Sequence, residues 1–230
     1  MKFKEIKHNI NLRTLSPVTS EIIKKLLIKH IVPVAKELGL INSINNNQWF
    51  NHFNENGIKH VIQFQKTKGN QAILAYGNCF EFLPTISGSN KIVNHRTDKS
   101  TKLHLFEYAN TATKKYFFRT KQLESISLNN EKEFEKTLSN CILGHKEIIR
   151  NWFKNNTSLN QNIASCIRQS NQNDGYAQHY PTYDYVLSFL YSKNSDQLKA
   201  SEKWCNFKTN NQELYNSEIL KNIEQKINIC

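Results

Sequence analysis

The sequence predicts an α+β protein in which an antiparallel sheet of four or more strands, over about residues 58–121, packs against an N-terminal helix and a C-terminal helical half. Three observations predict this class. Two runs rich in β-branched and aromatic residues, within residues 57–84, flank a short Lys-Gly-Asn break, which is typical of a β-hairpin. An apolar stripe at helical spacing precedes the hairpin, and helical stripes recur from residue 129 onward.

The first predicted helix begins at Thr19 or Ser20, either of which can cap it, and it ends at Gly39. Its apolar stripe consists of Ile23, Leu27, His30, Ile31, Val34 and Leu38. Pro33 lies inside this stripe and lacks a backbone N–H group, so we expect the helix to kink or split there.

Residues 41–56 read as a polar, Asn-rich connection that contains Trp49, Phe50 and Phe53. These aromatic side chains can stack on nucleic-acid bases or pack on the edge of the sheet. Packing is the commoner use of such residues, and we expect it here.

Each strand of the predicted hairpin has one strongly apolar face and one mixed face. The apolar face carries Ile58, His60, Ile62 and Phe64 from the first strand and Leu74, Tyr76, Phe80 and Phe82 from the second. The polar residues of the mixed face are Lys59, Gln63, Gln65 and Glu81. We therefore expect helices to cover the first face and expect the second to be partly open, with these polar side chains in solvent or against a partner.

The segment that includes the first helix and the hairpin resembles the bacterial domain of unknown function numbered 4304. The similarity rests on the helix end VPVAKELGL (32–40), the aromatic segment after it, the strand VIQFQK (61–66) and a second strand that reaches Gly77. Leu40 stands where that family usually has Phe, and residues 75–77 (AYG) replace its Asn-Leu-Gly segment. The resemblance spans about residues 20–125 and implies an α+β fold, without an established activity or catalytic residues.

A polar loop over 85–101 leads to two further predicted strands, at 103–108 and 115–120, joined by a short hairpin connection. This region is rich in cationic side chains that can form a binding surface if they converge on one face. Those candidates for binding a protein partner or a nucleic acid are Lys91, Arg96, Lys99, Lys102, Lys114, Lys115, Arg119 and Lys121. The alternative is a solvated basic surface without a partner.

The helical region over 129–230 begins with a long helix that Asn129 or Asn130 can cap. Shorter helices follow after Ser158, after Thr182, over 196–207 and over 212–229. Because no Pro- or Gly-rich linker separates residues 1–128 from 129–230, we expect the two regions to pack as one unit.

A dense polar and aromatic cluster precedes the fourth predicted helix, with Tyr176, His179, Tyr180, Tyr183 and Asp184. His179 and Asp184 are the weak candidates for an acid–base pair. The tyrosines with His179 can instead line a pocket or an interface, where Tyr is enriched. Packing of a helix start against its neighbour is the commoner use of such a cluster.

Composition narrows the functional classes. The five cysteines are widely spaced without a Cys-x-x-Cys pair, so we expect reduced thiols, no metal site and a cytoplasmic location. No apolar run approaches the roughly 20 residues that cross a bilayer, and residues 1–17 lack the apolar core of a signal peptide.

The net charge of +12 is unevenly distributed. Residues 1–120 contain 18 Lys and Arg against 7 Asp and Glu, whereas residues 121–230 contain 13 against 12. A basic first half favours an acidic partner, either a protein or a nucleic acid. The alternative is coding bias, because abundant Asn, Lys and Ile are typical of an AT-rich genome.

The sequence contains none of the common catalytic or cofactor motifs, which include the P-loop, Gly-x-Ser-x-Gly, His-Glu-x-x-His and Gly-x-Gly-x-x-Gly. We therefore expect a non-catalytic binding protein without a cofactor, most concretely an immunity-type protein that neutralises a toxin by direct contact. The alternative is a nucleic-acid-binding protein that uses the basic first half. A weaker alternative is a hydrolase or nuclease with its site near His179 and Asp184.

Overall fold

The computed structural model describes residues 18–88, 91–109, 116–117, 120–121, 126–171, 181–211 and 213–227. The strands within these residues are β1 (Asn42–Ile44), β2 (Gln48–Phe50), β3 (Ile58–Thr67), β4 (Gln71–Phe80), β5 (Thr85–Ile86), β6 (Ile92–Val93), β7 (Leu105–Ala109), β8 (Tyr116–Phe117), β9 (Thr120–Lys121) and β10 (Ile126–Ser127). The helices are α1 (Ser20–Glu37), α2 (Glu131–Lys154), α3 (Leu159–Asn171), α4 (Tyr183–Lys193), α5 (Gln197–Asn211) and α6 (Ser217–Ile227). The predicted α+β class is confirmed.

Helix α1 is capped by Thr19, whose hydroxyl accepts a hydrogen bond from the N–H of Ile22 at 3.3 Å. The helix runs without a break through Pro33, so the expected split is wrong. Ile31, Val34 and Ala35 around this proline are buried, and their packing compensates for the backbone hydrogen bond that Pro33 cannot donate.

The predicted hairpin is the centre of the main sheet. Strands β3 and β4 pair antiparallel along their whole length, from Ile58 opposite Phe80 to Thr67 opposite Gln71. The Lys-Gly-Asn turn between them places Gly69 and Asn70 at positive φ, a conformation that these residue types tolerate. The order of the sheet is β1-β2-β3-β4-β10, with β7 also paired to β4.

The Asn-rich connection over 41–56 forms part of the sheet rather than a plain connection. Strands β1 and β2 form a hairpin within it, and Asn45 and Asn46 adopt the left-handed turn conformation with φ of 52° and 55°. Trp49 and Phe50 are both buried, on opposite faces of the sheet, which confirms that these aromatics pack.

The strands after β4 differ in part from the expectation. Strand β7 pairs with β4 as a member of the main sheet, but residues 116–117 pair with 120–121 instead of pairing with β7. Strand β10 also pairs with β4, on the same edge as β7.

The C-terminal helices begin close to the expected positions. Asn130 caps α2 by accepting a hydrogen bond from the N–H of Glu133 at 2.9 Å. Some apolar residues of this region are exposed, among them Ile167, Leu198 and Leu214.

The main hydrophobic core lies between the helices and the first face of the sheet, which carries Ile62, Leu74 and Tyr76. One buried cluster contains residues of both regions, from Ile23 in α1 to Ile227 in α6. Among the helices in the described ranges, none has both the length and the apolar content that spanning a bilayer requires.

Candidate functional site on the second face of the sheet

The second face of the sheet, which points away from the main core, has its own small hydrophobic cluster. Phe50, Val61, Ala75, Cys79 and Leu103 are buried in it, while Phe106 and Tyr108 are only half-buried. The described members of this cluster lie on strands and loops, and none of them lies on a helix. This is the partly open face that the alternation of residues predicts.

A cleft of about 280 Å³ lies on this face, and we call it the sheet cleft. Gln48 and Gln63, which are directly opposite each other on β2 and β3, form one side together with Gln65. Phe106 and Tyr108 of β7 form the other side, with ring centroids 5.4 Å apart. The remaining lining residues are Thr101, Lys102 and Leu103.

A second cleft of about 450 Å³ adjoins the sheet cleft, and we call it the edge cleft. It lies between α1, the β1–β2 turn and the end of β3, and it shares Gln63 and Gln65 with the sheet cleft. Its lining contains Lys24, Lys66 and the amides of Asn45, Asn46 and Asn47. Among the described residues, the lining of neither cleft contains a carboxylate. The joined surface is cationic and rich in amide groups.

Lys59 lies beneath the loop that borders the sheet cleft, and its side chain is fully buried. The expectation that Lys59 faces solvent is therefore wrong. Its ammonium donates hydrogen bonds to the carbonyl oxygens of Thr97 at 3.3 Å, Asp98 at 2.8 Å and Ser100 at 3.2 Å. The ring centroid of Phe53 lies 4.0 Å from Nζ.

Backbone carbonyls and an aromatic ring thus replace the water that a buried ammonium loses. Burial lowers the pKa of Lys59, and the nearby Cys79 and Asp98 act in the opposite direction. The contacts fix residues 97–100 over the second face of the sheet. The other polar residues expected on this face follow the prediction, with Gln63 and Gln65 half-buried in the clefts and Glu81 exposed.

The predicted basic residues are only partly within the described ranges. Lys91 precedes β6, and Arg96 and Lys99 follow it in the loop before β7. All three are exposed. Lys102 is half-buried in the sheet cleft, where burial lowers its pKa. Lys114, Lys115 and Arg119 lie outside the described residues, and so does the side chain of Lys121. Their convergence on one surface stays a prediction.

The predicted polar and aromatic cluster is described only at its end. Tyr183 and Asp184 form the first turn of α4, and Tyr183 packs against the main core. Burial raises the pKa of the Asp184 carboxyl. Tyr176, His179 and Tyr180 lie outside the described residues, so the His179–Asp184 pair and the tyrosine pocket stay predictions.

A buried polar network on the first face of the sheet was missed by the sequence reasoning. His60 of β3 and Asn78 of β4 lie directly opposite each other, with Nδ1 and Oδ1 2.7 Å apart. The amide nitrogen of Asn78 donates to Oδ1 of Asn162 at 2.6 Å and to the carbonyl oxygen of Asn156 at 2.9 Å. The signal was present in the sequence, because His60 and Asn78 interrupt the apolar face at the same level of the hairpin.

In comparisons with protein-family models, curated proteins and solved structures, nothing matches this chain. The resemblance to the domain numbered 4304 therefore stays a prediction.

Proposed function

We propose that this chain is a non-catalytic binding protein that holds an acidic partner against the sheet cleft and the edge cleft. The observation that supports this proposal is the charge of the joined surface. Lys24, Lys66 and Lys102 line it, whereas its described lining contains no Asp or Glu. Opposite charges across an interface accelerate association and exclude wrong partners.

The amide side chains of the surface add hydrogen-bonding capacity. Each Asn or Gln side chain offers an acceptor oxygen and an NH₂ donor, so Asn46, Gln63 and Gln65 can pair with carboxylates and with peptide groups alike. Phe106 and Tyr108 supply apolar area at one end of the surface. A protein segment that carries Asp or Glu beside apolar residues fits this combination.

The most concrete form of this proposal is an immunity-type protein that acts in the cytoplasm. Such a protein neutralises a toxin by covering its active site or another essential surface. The excess of positive charge in residues 1–120 favours an acidic toxin.

A charge-reversal experiment tests the surface. An acidic protein that co-purifies with the tagged chain is produced separately, and its affinity for the chain is measured by titration calorimetry at low and at physiological salt. We expect the Lys24→Glu and Lys66→Glu double variant to bind about tenfold more weakly, because each reversal places a like charge against the partner.

The control is the Lys132→Glu and Lys221→Glu double variant, which makes the same change in net charge on exposed positions of α2 and α6. We expect this control to keep most of the affinity of the unaltered chain. An equal loss in both variants assigns the attraction to net charge and contradicts a localised surface.

A single-stranded nucleic acid is the second candidate partner, and the two aromatic rings of β7 favour it. Phe106 and Tyr108 lie on one face of a strand beside Lys102, an arrangement in which bases stack on the rings and the backbone phosphates meet the cation. Fluorescence anisotropy with labelled single-stranded RNA and DNA separates the two candidates. Binding that weakens with salt and with Tyr108→Ala supports the nucleic acid, and absence of binding at low salt contradicts it.

A further inference from the structure

A third cleft, of about 280 Å³, lies on the opposite side of the sheet from the sheet cleft, and we call it the helix-end cleft. It opens where the C-terminal ends of α1 and α2 meet the first face of the sheet. The side chains that matter for its chemistry are Glu37, His60, Arg150 and Lys154. Its apolar wall is Phe153, whose ring stacks on that of His60 with centroids 4.4 Å apart.

The hydrogen bonds around His60 fix which nitrogen carries its proton. Asn162 donates through Nδ2 to the carbonyl oxygens of Asn156 and Ser158, which can only accept, so Oδ1 of Asn162 is an acceptor. Asn78 must then donate its Nδ2 to Asn162 and keep its own Oδ1 as an acceptor toward His60. The proton of the neutral imidazole is therefore on Nδ1.

The other nitrogen of His60, Nε2, has no hydrogen-bond partner among the described residues, and His60 contributes to the lining of the helix-end cleft. Burial lowers the pKa of His60, although the hydrogen bond with Asn78 opposes this shift. The imidazole is thus neutral near pH 7 and acts as a hydrogen-bond acceptor. A ligand that pairs with it must bring a donor.

Among the described residues, the charged groups around the cleft leave one positive charge in excess. Glu37 on α1 pairs with Lys146 of α2, and its carboxylate lies 3.8 Å from Nη2 of Arg150. Arg150 also pairs with Glu147. Lys154 forms no ion pair with any carboxylate in the described part of the chain, so its charge is available to a ligand.

We propose that the helix-end cleft binds a phosphate-type oxyanion, with a P–OH group donating to Nε2 of His60 and the anionic oxygens facing Lys154 and Arg150. Phosphate-type oxyanions are chosen over other anions because they can still carry a proton near pH 7. Carboxylates and sulfate carry no proton at neutral pH and would set a lone pair against that of Nε2, whereas a phosphomonoester has its second pKa near 6 and retains a proton in part. Free phosphate and a phosphomonoester share this chemistry.

The test compares inorganic phosphate with sulfate at equal ionic strength near pH 7. Binding is measured by calorimetry and through the imidazole nitrogen resonances of His60 by NMR. We expect phosphate to shift the Nε2 resonance and sulfate to bind at least about tenfold more weakly, because sulfate leaves the His60 acceptor unpaired. Equal binding of the two anions, or an unchanged His60 resonance, overturns the proposal.

Two variants locate the site. Lys154→Gln removes the available charge from an exposed position, and we expect it to weaken phosphate binding about threefold to tenfold, while Lys132→Gln at the other end of α2 leaves it unchanged. Equal effects of the two changes overturn the assignment.

His60→Phe keeps the ring stack and should abolish the preference for phosphate over sulfate. If that variant does not fold, the anion comparison and Lys154→Gln decide the question.

Methyl phosphate and inorganic phosphate separate the two sources of the ligand. Tighter binding of methyl phosphate indicates a phosphomonoester, and tighter binding of inorganic phosphate indicates the free anion. Failure of both phosphate and methyl phosphate to bind overturns the proposal and leaves the acidic partner of the sheet cleft and the edge cleft unaffected, because the helix-end cleft shares no lining residue with either of them.

Discussion

The ammonium nitrogen of Lys59 lies 2.8 Å from the backbone carbonyl oxygen of Asp98, and this contact joins the centre of the sheet to the loop that borders the sheet cleft. The side chain of Asp98 is exposed, and its Oδ1 lies 4.0 Å from Nδ1 of His52 without an ion pair to Lys59 among the described residues. The interaction is therefore a charge-assisted hydrogen bond to the backbone rather than an ion pair. The buried charge positions the loop.

Replacing Lys59 by Met should release this loop. The variant removes the donor that the carbonyl groups of Thr97, Asp98 and Ser100 share. The carbonyl of Thr97 keeps the N–H of Ser100 as a partner, whereas those of Asp98 and Ser100 must find water or stay unpaired. We expect the free energy of unfolding to fall by about 1–3 kcal/mol in urea titrations. We also expect faster hydrogen exchange at the N–H of Ser100, which donates to the carbonyl oxygen of Thr97 in the native loop.

Lys66→Met is the matched control for that change, since Lys66 lies on the same strand and is exposed. Its effect on stability should stay within about 0.5 kcal/mol. If the two variants lose equal stability, the carbonyl contacts of Lys59 contribute nothing specific.

The contrast between Lys59 and its neighbours explains how much of this site is predictable from sequence. The alternation in β3 and β4 fixes the register of the hairpin and places Gln63 and Gln65 on the second face. The partners of Lys59 are backbone carbonyls 38 to 41 residues later in the chain. Every residue has a carbonyl, so no residue type in the loop indicates this contact.

The β1–β2 hairpin was missed for a related reason. Its strands are three residues long, Asn-Ser-Ile and Gln-Trp-Phe, and polar and apolar residues do not alternate along either of them. The remaining signal is the Asn45-Asn46 pair, whose residue type tolerates positive φ in a tight turn. The edge cleft depends on this turn, and it was therefore beyond the sequence analysis as well.

Gly77 allows β7 to lie close to β4. A methyl group at this position would lie 2.1 Å from the carbonyl oxygen of Leu105 and 2.6 Å from the Cα atom of Phe106. We expect Gly77→Ala to destabilise the fold by about 1–3 kcal/mol, because the backbone of β7 must move to relieve these contacts. The shift should also weaken partner binding, since Phe106 and Tyr108 lie on β7.

Gly144→Ala provides a control with the opposite expected sign. Gly144 lies within α2, and a methyl group there meets no atom within 4 Å beyond its chain neighbours and the adjacent backbone of its own helix. Alanine in place of glycine in a helix interior stabilises by about 0.5–1 kcal/mol. Thermal unfolding of the two variants should therefore shift in opposite directions, and a decrease for both contradicts the account of Gly77.

Asn78 joins β4 to the α2–α3 connection and to His60. Replacement by Ala leaves Oδ1 of Asn162, the carbonyl of Asn156 and Nδ1–H of His60 without this partner. We expect a loss of at least about 2 kcal/mol in the free energy of unfolding, because a buried polar group left without a partner bears its full desolvation cost. Asn151→Ala, an exposed change on α2, should have almost no effect.

The same variant tests the tautomer of His60. Nitrogen NMR of the unaltered chain should show a protonated Nδ1 and an unprotonated Nε2. In Asn78→Ala the acceptor for Nδ1–H is gone, and we expect the two tautomers to mix. A protonated Nε2 in the unaltered chain contradicts the hydrogen-bond assignment.

Stability should fall as the pH drops from about 6.5 to about 4, and His95 is one cause. Burial, reinforced by the positive charge of Lys102, lowers the pKa of His95 from 6.5 to about 4. Between these values the unfolded chain binds a proton at this residue that the native chain does not, so protonation favours unfolding. Above about pH 6.5 both states are neutral there, and the contribution of His95 to stability is fully present.

His95→Gln should flatten this pH dependence while keeping a group that can bond to the hydroxyl of Thr85, which lies 2.8 Å from Nε2 of His95. The largest slope that one such residue adds is about 1.4 kcal/mol per pH unit. Burial lowers the pKa of His60 as well, so the variant should retain part of the slope. His52→Gln, at an exposed histidine, should follow the unaltered chain throughout. Urea unfolding of the three proteins at intervals from pH 4 to pH 8 measures the slopes, and identical curves for His95→Gln and the unaltered chain would exclude His95 as a cause.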